Sequence, residues 1–221
     1  MKHLSIVMAA LALIFYSSAQ ADTSLLGKNR VSGGLLLETS TKYTAGDQLV
    51  TIGGQLVEAG FDFELMPKWT IGGGLALMYD GNAESGIHHS NGGTGLRLFG
   101  DTRYEVSRFD NNKVFATGTF SYDHFTFSEV GVGAVLSILE VKVGGLLLHS
   151  FSPFAAYGGL EFTGYSDGNY DFGEISYSAK RKNVFNVRIG GAYKLNKKLA
   201  LNTDFLLIGE TTMMFSTEYA L

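Results

Sequence analysis

The sequence predicts an all-β fold: an up-and-down antiparallel transmembrane barrel, of ten strands or alternatively eight, whose apolar side chains point outward. Three observations predict it. The dominant period of the chain is two rather than 3.6. Charged residues sit inside the apolar alternation instead of flanking it. The connections alternate between tight turns and long polar stretches. Residues 94–107, "TGLRLFGDTRYEVS", show the first two at once. Leu96, Leu98, Tyr104 and Val106 occupy one face, while Arg97, Asp101, Arg103 and Glu105 occupy the other. A soluble core would not tolerate the four charges, and a solvated loop would not need the apolar residues. A membrane barrel accommodates both, with lipid on one side and a polar lumen on the other. The opposite register is too costly: a lipid-facing Arg at the midplane costs about 2–4 kcal/mol, against a net stability of roughly 5–15 kcal/mol.

Residues 1–21, "MKHLSIVMAALALIFYSSAQA", read as a cleaved signal peptide and leave residues 22–221 as the barrel. Lys2 and His3 form a basic start, the apolar run from Leu4 to Tyr16 is too short for a span of ~20 residues, and Ala19-Gln20-Ala21 gives the small-residue cleavage site. Ten alternating segments follow. The first covers 29–40 and the second 48–65, where Val57, Ala59, Phe61, Phe63 and Leu65 oppose Glu58, Asp62 and Glu64. The third, 69–79, sets Trp69, Ile71, Leu75, Leu77 and Tyr79 on one face, and the fourth is 94–107. The fifth is 113–127; the sixth, 130–149, slips phase near Ser137, which predicts a bulge or a split. In the seventh, 153–165, Phe154, Leu160 and Phe162 oppose Tyr157 and Glu161. In the eighth, 183–195, Phe185, Val187, Ile189 and Tyr193 oppose Asn186 and Arg188. The ninth, 198–209, and tenth, 211–221, complete the set. Turns after the even segments are tight ("MPK", "RFDNNK", "SFSP", "NKK"), whereas 80–94 and 166–183 are expected to be long polar loops on the opposite side.

Composition excludes several classes. There is no cysteine, so thiol chemistry and Cys-metal sites are out, and the net charge of −4 gives no basic footprint for nucleic acid. Charged residues make up 17%, below the usual share of about 25%, which fits a chain with little water-facing wall. A soluble barrel or sandwich would also alternate. Against it, the polar faces carry few lysines, and aromatics cluster near segment ends: Tyr43, Trp69, Tyr79, Tyr104, Phe125, Phe127, Tyr165, Tyr193 and Tyr219. Those nine are expected to form two interfacial girdles.

With its leader, its strand start "WTIGGGLALMY", its hairpin "GAYKLNKKLALNTDF" and its final strand "MMFSTEYAL", the chain resembles the small outer-membrane β-barrel proteins of Gram-negative bacteria, of OmpA type and opacity type. The resemblance implies an integral outer-membrane location, contact with outer-membrane lipid and lipopolysaccharide, and recognition of the last strand by the barrel assembly machinery. Met213, Phe215, Tyr219 and Leu221 share the face that such machinery reads, although Thr217 interrupts it and Leu221 stands where the family ends in Phe. The periplasmic domain that many OmpA-type proteins append is not expected here.

The expected lumen network comprises Glu58, Asp62, Glu64, Arg97, Asp101, Arg103, Glu105, Glu140, Lys142, Glu161, Arg188 and Asp204. Both signs are present, and desolvated charges must pair. Arg97 and Arg103 are expected to reach Asp62, Glu64 and Glu58 over the small lumen face of the third segment. The predicted role is therefore non-enzymatic, structural or surface-interacting, with the interior plugged by paired charges. The alternatives are a small porin-like channel and an outer-membrane lipid-modifying enzyme. For the last, His124 and Thr126 share a face in "SYDHFTF", as a His and Ser do in outer-membrane lipid A deacylases, but Thr is a poor nucleophile and Asp123 points the other way. The paired Asp and Asp-His couples of omptin-type proteases do not stand out. His88 and His89 fall in a loop without a neighbouring carboxylate or thiolate, so no metal, cofactor or catalytic residue is predicted.

Overall fold

The computed structural model describes residues 29–86, 88–129 and 132–221; the expected signal peptide lies outside them. Every regular element among them is a strand: β1 (Arg30–Ala45), β2 (Gln48–Met66), β3 (Trp69–Ser85), β4 (His88–Phe109), β5 (Asn112–Glu129), β6 (Val132–Phe151), β7 (Phe154–Phe172), β8 (Ile175–Arg181), β9 (Phe185–Lys194), β10 (Leu199–Leu207) and β11 (Glu210–Ala220). All pairings are antiparallel. β1 to β7, β9, β10 and β11 close a ten-stranded ring through β1–β11, in which Arg30 faces Ala220 and Leu37 faces Met213. β8 lies outside that ring.

The position of β8 changes the shape of the barrel. β8 and β9 follow one line along β7: Gly168 faces Ala179, Phe162 faces Phe185, and between them the Thr163 N–H donates to the Val184 carbonyl (2.7 Å). The hairpin β10–β11 stops at Ile208-Gly209, and beyond it β1 pairs directly with β8, Tyr43 opposite Arg181. The ten-stranded lower barrel therefore continues upward as an eight-stranded ring of β1 to β8. An eight-stranded ring is just wide enough for side chains to fill.

The polarity of the wall inverts along the same axis. On β3, Trp69, Ile71, Leu75, Leu77 and Tyr79 point outward, an apolar band as long as the ~9–11 residues a strand needs to cross a bilayer. Past a register shift at Met78–Gly81 the outward residues become Asp80, Asn82 and Glu84, and the inward ones Ala83 and Ser85. On β2 the inward side chains are Glu58, Asp62 and Glu64 below, but Val50, Ile52 and Leu56 above. The lower barrel is mainly polar inside, apart from a buried cluster of Phe115, Leu146 and Leu148, and apolar outside; the upper ring is apolar inside and polar outside. The six residues of β3 past Tyr79 add about 15 Å of height, at ~3.3 Å per residue and a tilt near 40°.

Three expectations are corrected here. Residues 80–94 and 166–183 are not loops: they extend β3, β4 and β7 and form β8, with tight tips at Gly86 and Gly173, both at positive φ. Polar outer faces disguised these strands as loops. β6 carries no bulge at Ser137, since β5 and β6 pair without a shift from Asn112↔His149 to Glu129↔Val132. The apparent slip is the inversion itself, as Leu136 and Ile138 face inward while Val141 and Val143 are exposed on the outer wall. Trp69, Tyr79, Tyr104, Tyr165 and Tyr193 are exposed on the outer wall, but Tyr43, Phe125 and Phe127 are interior residues, 1%, 1% and 0% exposed.

Candidate functional site

The interior is the part of the molecule where chemistry-bearing side chains converge, and it has three tiers. The lowest carries ion pairs beside a small buried apolar cluster of Phe115, Leu146 and Leu148. Arg30 donates to Asp62 and to Glu218 (2.7 Å). Arg103 reaches Asp101 (3.0 Å) and Asp62 (3.6 Å), and Arg188 Nε donates to Asp204 (2.7 Å). Gly72 makes the Arg103 cluster feasible. A Cβ there would collide with carboxylate oxygens of both Asp62 and Asp101, which meet over it from the flanking strands. At the short-turn mouth Glu105 accepts a two-pronged contact from the exposed Arg108 (2.9 and 2.7 Å), and Glu64 is exposed. Cavities of about 200 Å³, lined by Glu58, Asp101 and Arg188 among others, and about 80 Å³, lined by Asn202 and Glu218 among others, leave room for water between these groups.

The middle tier is denser. Arg97 forks onto Asp123 (2.7 Å to each oxygen) and reaches Glu38 (3.0 Å). Lys142 stands among Glu210 (3.2 Å), Glu161 (3.7 Å) and Glu140 (3.8 Å). Arg181, carried in by β8, bonds Glu210, lies 3.5 Å from Glu140 and donates to the Tyr43 hydroxyl (3.2 Å). Asn186 ties the end of β9 to this tier, accepting from the Glu210 N–H (2.9 Å).

The upper tier is apolar: Val50, Ile52, Leu56, Met78, Phe125, Phe127, Leu136, Ile138 and Tyr170 form one buried cluster with Tyr43. It rests on the charges beneath it. The Phe125 ring lies 5.6 Å from the Arg97 guanidinium carbon and the Tyr43 ring 5.4 Å from that of Arg181, within cation–π range. Phe127 seats its ring over Gly81 and Gly93, where any side chain would strike it.

The structure brings together Asp62, Asp101 and Arg103, and separately Glu140, Lys142 and Glu161. Arg188 pairs with Asp204. Two partner assignments differ from expectation. Arg97 meets Asp123 and Glu38 rather than Glu58, Asp62 or Glu64, and Glu58 makes no ion pair among the described residues. Sequence reasoning missed Arg30, Glu38, Asp123, Arg181, Glu210 and Glu218. Asp123 alternates with His124 and was legible; Glu38 sits beside a register shift after the unalternating run Leu35–Leu37; Arg181 lay in a supposed loop.

His124 and Thr126 are exposed on the outer wall. The His124 Nδ1 contacts Ser137 Oγ (2.8 Å) across the β5–β6 pair, while Asp123 is inside and held by Arg97. No carboxylate orients the ring among the described residues, so the pair lacks the third member that activates a serine. Nor do the described residues include a cluster of acidic or histidine side chains that could hold a metal.

No described protein family matches the sequence, and no curated protein resembles it. Solved structures do resemble the fold. The outer membrane protease OmpT of Escherichia coli aligns over 92% of this chain and 100% of its own, with a TM-score of 0.57 and 9% identity. The translocator domain of the autotransporter NalP of Neisseria meningitidis aligns over 99% and 96%, with a TM-score of 0.49 and 8% identity. The transport unit of the E. coli autotransporter AIDA-I aligns over 94% of both chains, at 0.49 and 11%. The chain therefore has the fold of a small outer-membrane β-barrel, ten-stranded and closed.

Proposed function

We propose that the protein is a non-enzymatic, non-conducting barrel integral to the bacterial outer membrane, serving as a structural or surface-interaction element. One observation carries this reading: the ten-stranded barrel narrows to an eight-stranded ring, and that ring is filled by side chains buried to the last few per cent. A pore needs a continuous polar path, and the buried apolar cluster of Tyr43, Phe125, Phe127, Leu136 and Tyr170 lies across it. The outward belt of Leu75, Leu77, Leu96, Leu98, Leu160 and Phe162 is exposed in a way that only lipid makes affordable. The leader read from the sequence supports export, and the outward Phe215 and Tyr219 of β11, with Leu221 just past its end, support recognition by the assembly machinery. Purified protein reconstituted in planar bilayers should show no resolvable conductance steps. Stable steps would overturn the plug and favour a porin-like channel.

Turn length sets the orientation, because barrels of this kind keep short turns in the periplasm. The turns at Lys68, Asp110 and Pro153 then face the periplasm and the upper ring projects from the cell. An epitope inserted between Gly173 and Glu174, at the β7–β8 tip, should be labelled on intact cells. Labelling only after the outer membrane is permeabilised would reverse the orientation.

A further inference from the structure

Glu58 points into the lumen from β2, and among the described residues it makes no ion pair. The ladder sets it in one rung with Arg97, since Glu58 faces Ala76 and Ala76 faces Arg97. Yet the cations whose charge reaches it, Arg97 and Arg188, are held by Asp123 and Asp204, each at 2.7 Å. A desolvated carboxylate needs a partner. Here a space stands beside the carboxylate instead of a side chain. Glu58 lines the cavity of about 200 Å³, more than ten times the ~10–15 Å³ that admits a single water.

The rest of the lining suits a particular guest. In the next inward rung toward the short turns, Gly60 faces Gly74 and Gly74 faces Phe99. The Phe99 ring lies across both glycines, where a Cβ on Gly74 would strike it. An aromatic ring therefore occupies the lumen one rung from the Glu58 carboxylate. Leu36, Leu206 and Met214 add apolar surface to the same cavity. Asp204, 5% exposed, lines it too. Arg188 takes the Oδ2 of Asp204, and the Oδ1 is buried without a hydrogen-bond partner among the described residues. Arg103 and Arg188 also reach the cavity, but they are committed to Asp101 (3.0 Å) and Asp204 (2.7 Å). The free capacity of the site is anionic, beside an aromatic and aliphatic wall.

We infer that this cavity binds a small organic cation, a quaternary or alkylated ammonium compound, with Glu58 as its counter-ion and Phe99 as its aromatic platform. A cation within about 6 Å of a ring face is attracted by the ring quadrupole, and the attraction grows as the site is desolvated. A methylated ammonium group carries its charge under an apolar skin, which matches Leu36, Leu206 and Met214. A metal ion would have to give up its hydration shell against the same side chains. Asp204 adds a second negative charge for the ligand. Hydrogen-bonded strands wall the lumen off from lipid, so the ligand is a free solute and not a lipid headgroup. The inference goes beyond the proposed function. A conducting barrel would keep this cavity as well as a plugged one, so the bilayer recording and the binding test fail separately.

The test uses purified barrel in maltoside micelles. The probes are choline, its uncharged carbon isostere dimethylbutanol, sodium chloride and sodium acetate. Affinity is read by isothermal titration calorimetry, and contact by saturation transfer from the protein to the choline methyl protons. Choline should bind, and the isostere at least tenfold more weakly, since the two have nearly the same shape and differ in charge. Glu58→Gln should weaken choline binding at least tenfold. Without ligand, that variant should show its heat-induced mobility shift at the parent's temperature or higher, because Glu58 gives up no ion pair. Phe99→Leu, which keeps the wall apolar, should weaken choline binding several-fold. Absence of choline binding, equal affinity for the isostere, undiminished binding by Glu58→Gln, or displacement of choline by equimolar sodium would each overturn the assignment. Binding of acetate in place of choline would overturn it as well, and would give the cavity to Arg103 and Arg188.

Discussion

Replacing Arg97 with leucine should destabilise the barrel by about 3–5 kcal/mol, the usual cost of removing one member of a buried ion pair. Arg97 forks onto Asp123 and reaches Glu38, carboxylates whose side chains are 2% and 3% exposed. Leucine leaves both stranded, with the Phe125 ring above them instead of water. Leu96, its neighbour, faces outward, and Leu96→Ala there strands no charge; detergent or lipid fills the space. At roughly 2–4 °C per kcal/mol for a domain of this size, Arg97→Leu should lower the heat-induced mobility shift by on the order of 10 °C. Leu96→Ala should move it far less. If Arg97→Leu is neutral and Leu96→Ala is damaging, the lumen assignment is wrong. Water then reaches Asp123 and Glu38, and the plug fails with it.

The lower barrel was legible in the sequence because membrane crossing enforces a strict code. In a barrel that crosses the membrane, every outward residue between Trp69 and Tyr79 would meet lipid, so the alternation in "WTIGGGLALMY" could not be broken without cost. The upper ring escapes that code. Its outer wall meets water, where Asp80, Asn82, Asp167 and Asn169 are as comfortable in a strand as in a loop. Composition therefore favoured loops at 80–94 and 166–183, although the strands continue through both. The same inversion concealed Phe125, Phe127 and Tyr43. An aromatic near a strand end reads as a girdle residue while the apolar face is taken to point outward throughout. The chain carried one visible trace of the switch, the phase change at Ser137, where the apolar set crosses from the even to the odd residues of an unbroken strand. The charge network was half legible for a related reason. Alternation shows which face a charge occupies, but partners are set by strand tilt, bulges and the entry of β8, which placed Arg181 beside Glu210 and Glu38 within reach of Arg97.

Phe120 and Phe127 give the sharpest test of the inversion, since they are the same residue on the same strand with opposite surroundings. Phe120 is 47% exposed on the outer wall of the lower barrel and Phe127 is fully buried in the upper ring. Phe127→Ala removes a ring seated on the Gly81–Gly93 pair, and neither glycine has a side chain that can move into the gap. The cavity persists, and the cost should be about 3–5 kcal/mol, the range for Phe→Ala in a closed core. Phe120→Ala leaves no cavity, because acyl chains or detergent close over the site, and only part of the transfer term is lost. Unfolding should show Phe127→Ala shifted by roughly 10 °C and Phe120→Ala by a small fraction of that. The two effects being equal would mean that Phe127 also faces a fluid environment, and the upper ring would then be an apolar-walled continuation of the membrane belt. A dry ring predicts a further asymmetry. The Phe127→Ala variant should stay electrically silent, because Tyr43, Phe125, Leu136 and Tyr170 still fill the remaining cross-section, and a single lost ring opens a void without opening a path.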